Sequence, residues 1–332
     1  MKIAFFEVKN WEKDYLKEKL DDKEVIFFET PLTKDNIDTA KDFDIIASFI
    51  YSDLHKEVVS HLPHLKFIAT MSTGFDHIDV SYAKEKGIKV SNVPTYGANT
   101  VAEHAFALML CLAKNIYPSI ERTRSGNFSL DGLTTFDLKG KTLGIVGMGK
   151  IGKEVADIAR GFEMRVLAYD IHENKKLAKE VGFTYVSLEQ LLKLSDIITI
   201  HLVHDESTHH IIHKNNISQI KKGAYLINTA RGALIETEAL IEALDKGILA
   251  GAGLDVLEEE QSIKEEKQLL SKEFISSVDL KTLIENHMLL NRENVIITPH
   301  NAFNSKEALS RILDVTIENI HAFIKGKPIN LV

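Results

Sequence analysis

Apolar positions in the first hundred residues come in short runs that alternate with charged stretches of helical period. KIAFFEV, EVIFFE, DIIASFI, LKFIAT and IKVSNV are rich in β-branched and aromatic residues and predict strands. Between them WEKDYLKEKL, HKEVVSHL and DVSYAKEKG predict short helices with a charged outer face. Strands separated by helices imply βαβ crossovers, hence a parallel sheet covered on both faces. NTVAEHAFALMLCLAKNI comes next and is apolar on nearly every side. Asn99 or Thr100 is its expected N-cap, and such a helix must be buried between layers or between subunits.

The same alternation restarts at Lys141. KTLGIVGM, MRVLAYD, DIITIHL, GAYLINT, AGAGLDV and NVIITPH predict strands, with helices near 150–161, 173–181, 187–193, 214–219 and 236–246. No sequence repeat links the halves; only the architecture recurs. From Ser305, SKEALSRILDVTIENIHAFIKG predicts one more amphipathic helix of about six turns. No strand follows it, so it is expected to return to the first half. The fold class expected is α/β: two Rossmann-like or flavodoxin-like doubly wound parallel-sheet domains, the substrate domain discontinuous. Its pieces are 1–98 and 302–332, and 99–301 form the nucleotide-binding domain. The charged stretch EEEQSIKEEKQLLSKEFISSVDLKTLIENHMLL counts as an insertion within that second domain.

Composition narrows the function classes. A net charge of −8 over 332 residues, with no strongly basic stretch, argues against a nucleic-acid partner. Cys111 is the single cysteine, so no intrachain disulfide is possible and a reducing compartment is expected. The start, MKIAFFEVKNWEKDY, turns charged too early for a signal peptide, and no apolar run approaches the ~18 residues needed to span a membrane. A cytoplasmic protein without a membrane partner is expected.

The chemistry begins at GMGKIG. Gly147-x-Gly149-x-x-Gly152 follows the strand TLGIV and opens the helix KIGKEVADIARGF, the context a dinucleotide fingerprint requires. The first glycine permits the tight turn, the second lets a pyrophosphate reach the backbone, and the third lets helix and strand pack closely. Asp170 ends the next strand, where a carboxylate can bind ribose hydroxyls and repel a 2′-phosphate, so NAD is expected over NADP. Gly147 to Lys153 also fits the start of a P-loop. Glu154 stands where magnesium coordination needs Ser or Thr, so that reading fails.

Three further residues stand at strand ends, on the edge where such sheets bind ligands. They are Arg231 after AYLINTA, Glu260 five residues past Asp255, and His300 in VIITPHNAF. Taken singly, each has an ordinary structural reading. Together they supply what hydride transfer to a 2-oxo acid requires. Arginine's fork can hold the carboxylate, a protonated histidine can donate to the carbonyl oxygen, and a carboxylate can orient the imidazole and favour its charged form.

With these residues in place, the chain resembles the D-isomer-specific 2-hydroxyacid dehydrogenases, most closely their D-lactate branch. The resemblance spans essentially the whole chain. It rests on GMGKIG with Asp170, NTARGALIETEAL, GLDVLEEE, TPHNAF, STGFDHID and NVPTYGANTVAEHA. It implies Arg231, Glu260 and His300 as the catalytic set. It adds Lys150, Ile151, Leu202, Val203, Thr229, Ala230 and Asp255 to the three glycines and Asp170 on the NAD side. In the first domain it implies carboxylate binding by the amides near Thr73 and Gly74, and Tyr96 at the hinge. Tyr51 and Phe303 would wall the side-chain pocket. The first 98 residues would then be the lid that closes over substrate. The family often has Ser-Pro after that tyrosine; Gly97-Ala98 stands here instead, which bears on hinge geometry rather than chemistry. The long segment between Glu260 and His300 favours the D-lactate branch, and the family implies a homodimer.

Competing readings find less support. The histidines of HLVHDESTHHIIHKNN, His201, His204, His209, His210 and His213, lack cysteines or HExxH spacing, so no metal is expected. Glu103 and His104, in the apolar helix, read as a structural polar pair. A D-2-hydroxyisocaproate dehydrogenase, or a non-enzymatic NAD-sensing binding protein on the same scaffold, are the alternatives. A 3-phosphoglycerate dehydrogenase would need cationic residues for the substrate phosphate, and none stand out.

Overall fold

A computed structural model describes residues 1–260 and 280–332. The chain divides into two compact units, Met1–Gly97 with Asn304–Val332, and Ala98–Phe303. Ala302 and Phe303 therefore fall in the second unit, two residues past the expected boundary.

The first unit is a five-stranded sheet. Its strands are β1 (Lys2–Phe5), β2 (Glu24–Phe27), β3 (Ile45–Ser48), β4 (Phe67–Thr70) and β5 (Lys89–Ser91), in the order β2-β1-β3-β4-β5. Every pairing is parallel. β3 and β4 are buried at every position, as strands covered on both faces must be. Alternate residues serve opposite faces. Ala4, Ile46, Ile68 and Val90 join a core with Leu54, Val58 and Ala83. On the neighbouring position of β4, Phe67 stacks on Phe323 at 4.4 Å. The crossovers are α1 (Asn10–Lys19), α2 (Lys56–Val59) and α3 (Val80–Glu85).

The second unit carries seven parallel strands in the order β12-β11-β10-β9-β6-β7-β8. They are β6 (Thr142–Val146), β7 (Arg165–Tyr169), β8 (Thr184–Tyr185), β9 (Ile197–Ile200), β10 (Ala224–Asn228), β11 (Leu249–Leu254) and β12 (Val295–Ile297). Its helices are α4 (Ala98–Ala113), α5 (Ile116–Arg124), α6 (Lys150–Gly161), α7 (Lys175–Val181), α8 (Leu188–Leu194), α9 (Thr237–Asp245) and α10 (Leu280–Leu290). Period-two alternation feeds two cores, one on each face. Val146, Ile198 and Leu226 serve one, and Ile145, Ile197 and Ile227 the other. The apolar helix α4 packs in the second of these cores against α6 and the sheet, so layer packing accounts for its character.

Several expectations need correction. The helix at 98 already includes Asn99 and Thr100, which are therefore first-turn residues and not its N-cap. KIAFFEV keeps its strand only to Phe5, because Glu7 turns into a left-handed backbone, φ 66°. The expected helix at 214–219 is a single tight turn, Ile217–Gln219. α5 and β8 were not expected; α5 starts after Asn115, whose left-handed φ of 48° breaks it from α4. The final helix, α11 (Lys306–Ile324), has 19 residues, nearer five turns than six. Ser305 caps it by accepting from the Ala308 N–H. Past it, Leu331 bridges antiparallel to Ser91, so the tail after the helix does add one pairing to the first sheet. Most of the charged insertion, 261–279, lies outside the described residues, and its end forms α10.

Candidate active site

The glycine loop joins β6 to α6, and each glycine does a different job. Gly147 has φ +97°, and a Cβ there would meet the His201 carbonyl oxygen at 2.6 Å. A Cβ on Gly152 would lie 2.2 Å from the Gly147 carbonyl oxygen, so the helix can close on the loop only without a side chain. Gly149, the N-cap of α6, faces open space. Lys150 and Ile151 begin the helix behind it. The loop thus presents an uncrowded helix N-terminus, the cradle an anionic pyrophosphate needs. Asp170, just past β7, braces it: Oδ2 accepts from the Met148 N–H at 2.8 Å, and Oδ1 from the His172 N–H at 2.8 Å.

Other residues expected on the NAD side lie past neighbouring strand ends. Leu202 and Val203 follow β9, and Val203 is 79% exposed, an uncovered apolar surface beside the loop. Thr229 and Ala230 follow β10. The Thr229 Oγ1 is buried with no partner among the described residues, as are the His201 Nδ1 and the Asn301 Oδ1. Orphaned polar atoms are costly, and these three sit just past the carboxyl ends of β9, β10 and β12, so a polar ligand fits this edge. Burial drives the His201 pKa down to about 3, which keeps that ring neutral.

The same edge carries the chemical residues. His300 Nδ1 and Glu260 Oε1 are 2.5 Å apart, with side chains only 15% and 23% exposed. His300 has a left-handed backbone, φ 52°, on the loop after β12. That loop hangs on Asp255. Its carboxylate, 1% exposed, accepts from the Thr298 hydroxyl, from the Asn301 N–H at 3.0 Å and from the Ala302 N–H at 2.8 Å. Burial works to raise the Asp255 pKa, but these bonds and His104 outweigh it and hold it below the ordinary value. Asp255, expected on the NAD side, is thus also the anchor of the histidine loop. His104 does not pair with Glu103: adjacent helix residues point apart. Its Nε2 lies 3.0 Å from the Thr298 Oγ1 and 3.4 Å from Asp255.

Arg231 follows β10, its carbonyl held by the Asn228 side-chain amide at 2.8 Å and its guanidinium donating to the Ala230 carbonyl at 2.8 Å. Next to it, a Cβ on Gly232 would lie 2.1 Å from the Leu257 backbone, so glycine lets this turn press against the loop that leads to Glu260. Glu258 was not singled out in the sequence. It accepts from the Thr237 hydroxyl at 2.7 Å and contacts His210 Nε2 at 2.6 Å, tying the start of α9 to the histidine-rich loop. In that loop His204 and His209 are 3.2 Å apart and His209 stacks on His210 at 3.8 Å. Among the described residues no group of three or more His, Cys, Asp or Glu could hold a metal.

In the first unit, Thr73 and Gly74 lie on the loop after β4. Its carbonyls are engaged inward: Gly74 accepts from the Ser72 hydroxyl at 2.6 Å, Thr73 from the Asn92 amide at 2.8 Å, and Ser72 from the Val93 N–H at 3.0 Å. Asn92 is itself held through its carbonyl by Asn319 of α11, at 2.9 Å. The Tyr96 carbonyl accepts from Arg311 at 2.6 Å, next to the boundary at Gly97. Tyr51, 41% exposed, follows β3. Phe303 belongs to the second unit, three residues past His300.

Strand order, glycine loop and a part-buried carboxylate–imidazole pair at one sheet edge define a dinucleotide-binding α/β domain with a group able to move a proton beside it. The comparisons with known proteins are more specific. The family model for the D-isomer specific 2-hydroxyacid dehydrogenase NAD binding domain matches residues 106–302. The D-lactate dehydrogenase of Escherichia coli (strain K12) is 36% identical over 331 residues, 98% of either chain. A solved D-lactate dehydrogenase from Aquifex aeolicus, complexed with NAD and lactic acid, is 38% identical with a TM-score of 0.87, over 98% of this chain and 96% of that one. The structure of a D-2-hydroxyisocaproate dehydrogenase is 30% identical with a TM-score of 0.85, over 100% and 99%. The chain belongs to the D-isomer-specific 2-hydroxyacid dehydrogenase family. It is an NAD-dependent oxidoreductase acting on CH–OH groups, and its second unit is the NAD-binding domain.

Proposed function

We propose that this enzyme interconverts pyruvate and D-lactate. The observation that carries the chemistry is the 2.5 Å contact between His300 Nδ1 and Glu260 Oε1. With Nδ1 committed to the carboxylate, Nε2 is the ring nitrogen that delivers a proton to the substrate's carbonyl oxygen, or recovers it in the reverse direction. Bound NADH supplies the hydride that the carbonyl carbon receives. Arg231 holds the substrate carboxylate through its planar fork, and the amides of Thr73 and Gly74 are its further donors. Asp255 keeps the His300 loop in place, and Asp170 takes the adenosine ribose hydroxyls. The family resemblance makes Tyr51 a wall of the space for the substrate's third substituent, and an aromatic wall favours a methyl group over a branched chain.

The direct test follows NADH oxidation against pyruvate, 2-oxobutyrate and 2-oxoisocaproate, with chiral analysis of the product. D-lactate formed fastest from pyruvate is the expected result. L-lactate would overturn the proposal, and preference for 2-oxoisocaproate would move the enzyme to the hydroxyisocaproate branch with the same mechanism.

We infer also that the enzyme works in the cytoplasm as a homodimer. The lone Cys111 fits a reducing compartment. Ile116, Tyr117 and Ile120 on α5 are 42%, 57% and 42% exposed, and Phe128 and Leu130 beyond it 78% and 82%, a row of apolar surface suited to a second copy. Sedimentation equilibrium giving a monomer mass at micromolar concentration would refute the dimer.

A further inference from the structure

Glu7 is a half-buried carboxylate that the proton-transfer chemistry does not use. It stands two residues past β1 in a left-handed backbone that residues with a side chain seldom adopt. Glu7 meets the loop after β3. Its Oε1 accepts from the Tyr51 N–H at 2.9 Å and its Oε2 from the Ser52 hydroxyl at 2.7 Å. The backbone amides of Phe49 and Ser52 also face it and favour its charged form, against the opposing effect of burial. The Ser52 Oγ, in a residue 1% exposed, accepts in turn from the Leu32 N–H at 3.0 Å.

Successive N–H groups curled round one anion form a nest, a backbone concavity that elsewhere binds phosphate. Here the protein fills the nest with its own carboxylate. The position matters as well. In the order β2-β1-β3-β4-β5 the direction of winding reverses between β1 and β3, the crevice where open α/β sheets take ligands. Tyr51 stands on the filled nest, its ring set edge-on to Phe49 at 6.0 Å and 69°. One carboxylate therefore fixes the backbone on both sides of the ring that this loop presents.

We propose that Glu7 is a positioning residue for substrate selection: by holding residues 49–52 it sets where the Tyr51 ring stands, and so how much room the substrate's third substituent has. The proposal rests on Tyr51 as a wall of that space, as argued above. Glu7→Gln keeps an acceptor for the Tyr51 N–H and turns the other oxygen into an NH₂ facing the Ser52 hydroxyl, which must then reverse its bond, so the nest is weakened. Glu7→Ala loses all of it.

The test combines two measurements on the full-length protein. Hydrogen–deuterium exchange is read on a peptide covering 49–53, and kcat and KM are measured for pyruvate and 2-oxoisocaproate. In Glu7→Ala, exchange of 49–53 rises, and the pyruvate preference in kcat/KM drops by roughly tenfold, the scale on which pockets discriminate small apolar groups. The change falls mainly on KM, the NADH Kd stays put, and Glu7→Gln lies between wild type and Ala. Because both changes act on one ring, Glu7→Ala combined with Tyr51→Ala has the same preference as Tyr51→Ala alone. If Glu7→Ala proves too unstable to purify, Glu7→Gln carries both readouts. Unchanged exchange overturns the proposal, as does increased exchange with an unaltered preference or additive effects in the double variant. Wild-type protein inert toward every 2-oxo acid removes the dehydrogenase reading and this one with it, and is recognised before any variant is made.

Discussion

Asp255→Asn tests whether the histidine loop hangs on a buried charge. The carboxylate serves donors on both oxygens: the Thr298 hydroxyl and the Asn301 N–H on one, the Ala302 N–H at 2.8 Å on the other. Asparagine offers only one acceptor. If its oxygen faces Thr298 and Asn301, its NH₂ faces the Ala302 N–H, and a buried bond becomes a donor–donor clash costing about 1–3 kcal/mol. The bonds that survive change from charged to neutral acceptors and lose about 1 kcal/mol more. The sum, about 3 kcal/mol, corresponds to roughly a hundredfold easier opening of the loop.

Hydrogen–deuterium exchange of residues 298–302 reads that opening, kcat reads its effect on His300, and urea melts give its pH dependence. Asp255 is held below the ordinary 3.8 by its donors, against the opposing effect of burial. A depressed carboxyl pKa contributes stability that is present above 3.8 and is lost as the pH falls through the folded-state value. The gap between wild type and Asp255→Asn should therefore be constant from pH 7 to about 4 and close only below 3.8. Equal protection of 298–302 at pH 7 would refute the anchoring role. A gap that closed between pH 7 and 5 would assign it to another group.

The other variants probe the remaining parts of the edge. His300→Ala should cut kcat by about 10²–10⁴-fold with the NADH Kd nearly unchanged, since proton delivery belongs to the transition state; a lost Kd would make the residue a binding group instead. Wild type should prefer NADH to NADPH by at least about tenfold in kcat/KM, because Asp170 would face the extra phosphate with a like charge, and Asp170→Ala should narrow the ratio. Equal use of both cofactors by wild type removes Asp170 from that role. Gly152→Ala puts a Cβ 2.2 Å from the Gly147 carbonyl oxygen, so calorimetry should find NADH binding weakened by more than about tenfold, and wild-type affinity would show that the loop yields at no cost.

What could be read from the chain was whatever is local. The glycine loop could be read because its three glycines, its strand and its helix lie within twenty residues, and Gly147 and Gly152 proved to need their missing side chains. Arg231, Glu260 and His300 could be placed because strand ends are marked by the apolar runs before them. Residues that act across the chain were hidden. Asp255 anchors Asn301 and Ala302, 46 and 47 residues away, and Glu7 holds Tyr51 at a separation of 44. Asn92 and Asn319 meet over 227 residues. In sequence each is one polar residue beside an apolar run, and periodicity carries no information about such partners. The same blindness explains β1: FFEV continues the apolar run, but the left-handed turn at Glu7 ends the strand to bring a carboxylate to its nest.

The two sheets reverse their winding in the same way, yet only one is built for a nucleotide. Between β6 and β9 the reversal is lined by the glycine loop, and α6 starts at Lys150, directly after the uncrowded Gly149. Its first N–H groups point at whatever lies in the crevice, and an anion there gains both hydrogen bonds and the helix dipole. Between β1 and β3 the corresponding loop holds no glycine, four residues separate β1 from α1 against three between β6 and α6, and the facing loop already holds the Glu7 carboxylate through the Tyr51 N–H and the Ser52 hydroxyl. A second phosphate there would have to displace a covalently tethered anion and bury its own charge beside it, so this edge is closed to nucleotides. The reversal in the first unit is thereby spent on rigidity. It fixes the backbone that carries one aromatic ring, Tyr51, and leaves the glycine loop of the second unit as the edge shaped for a dinucleotide.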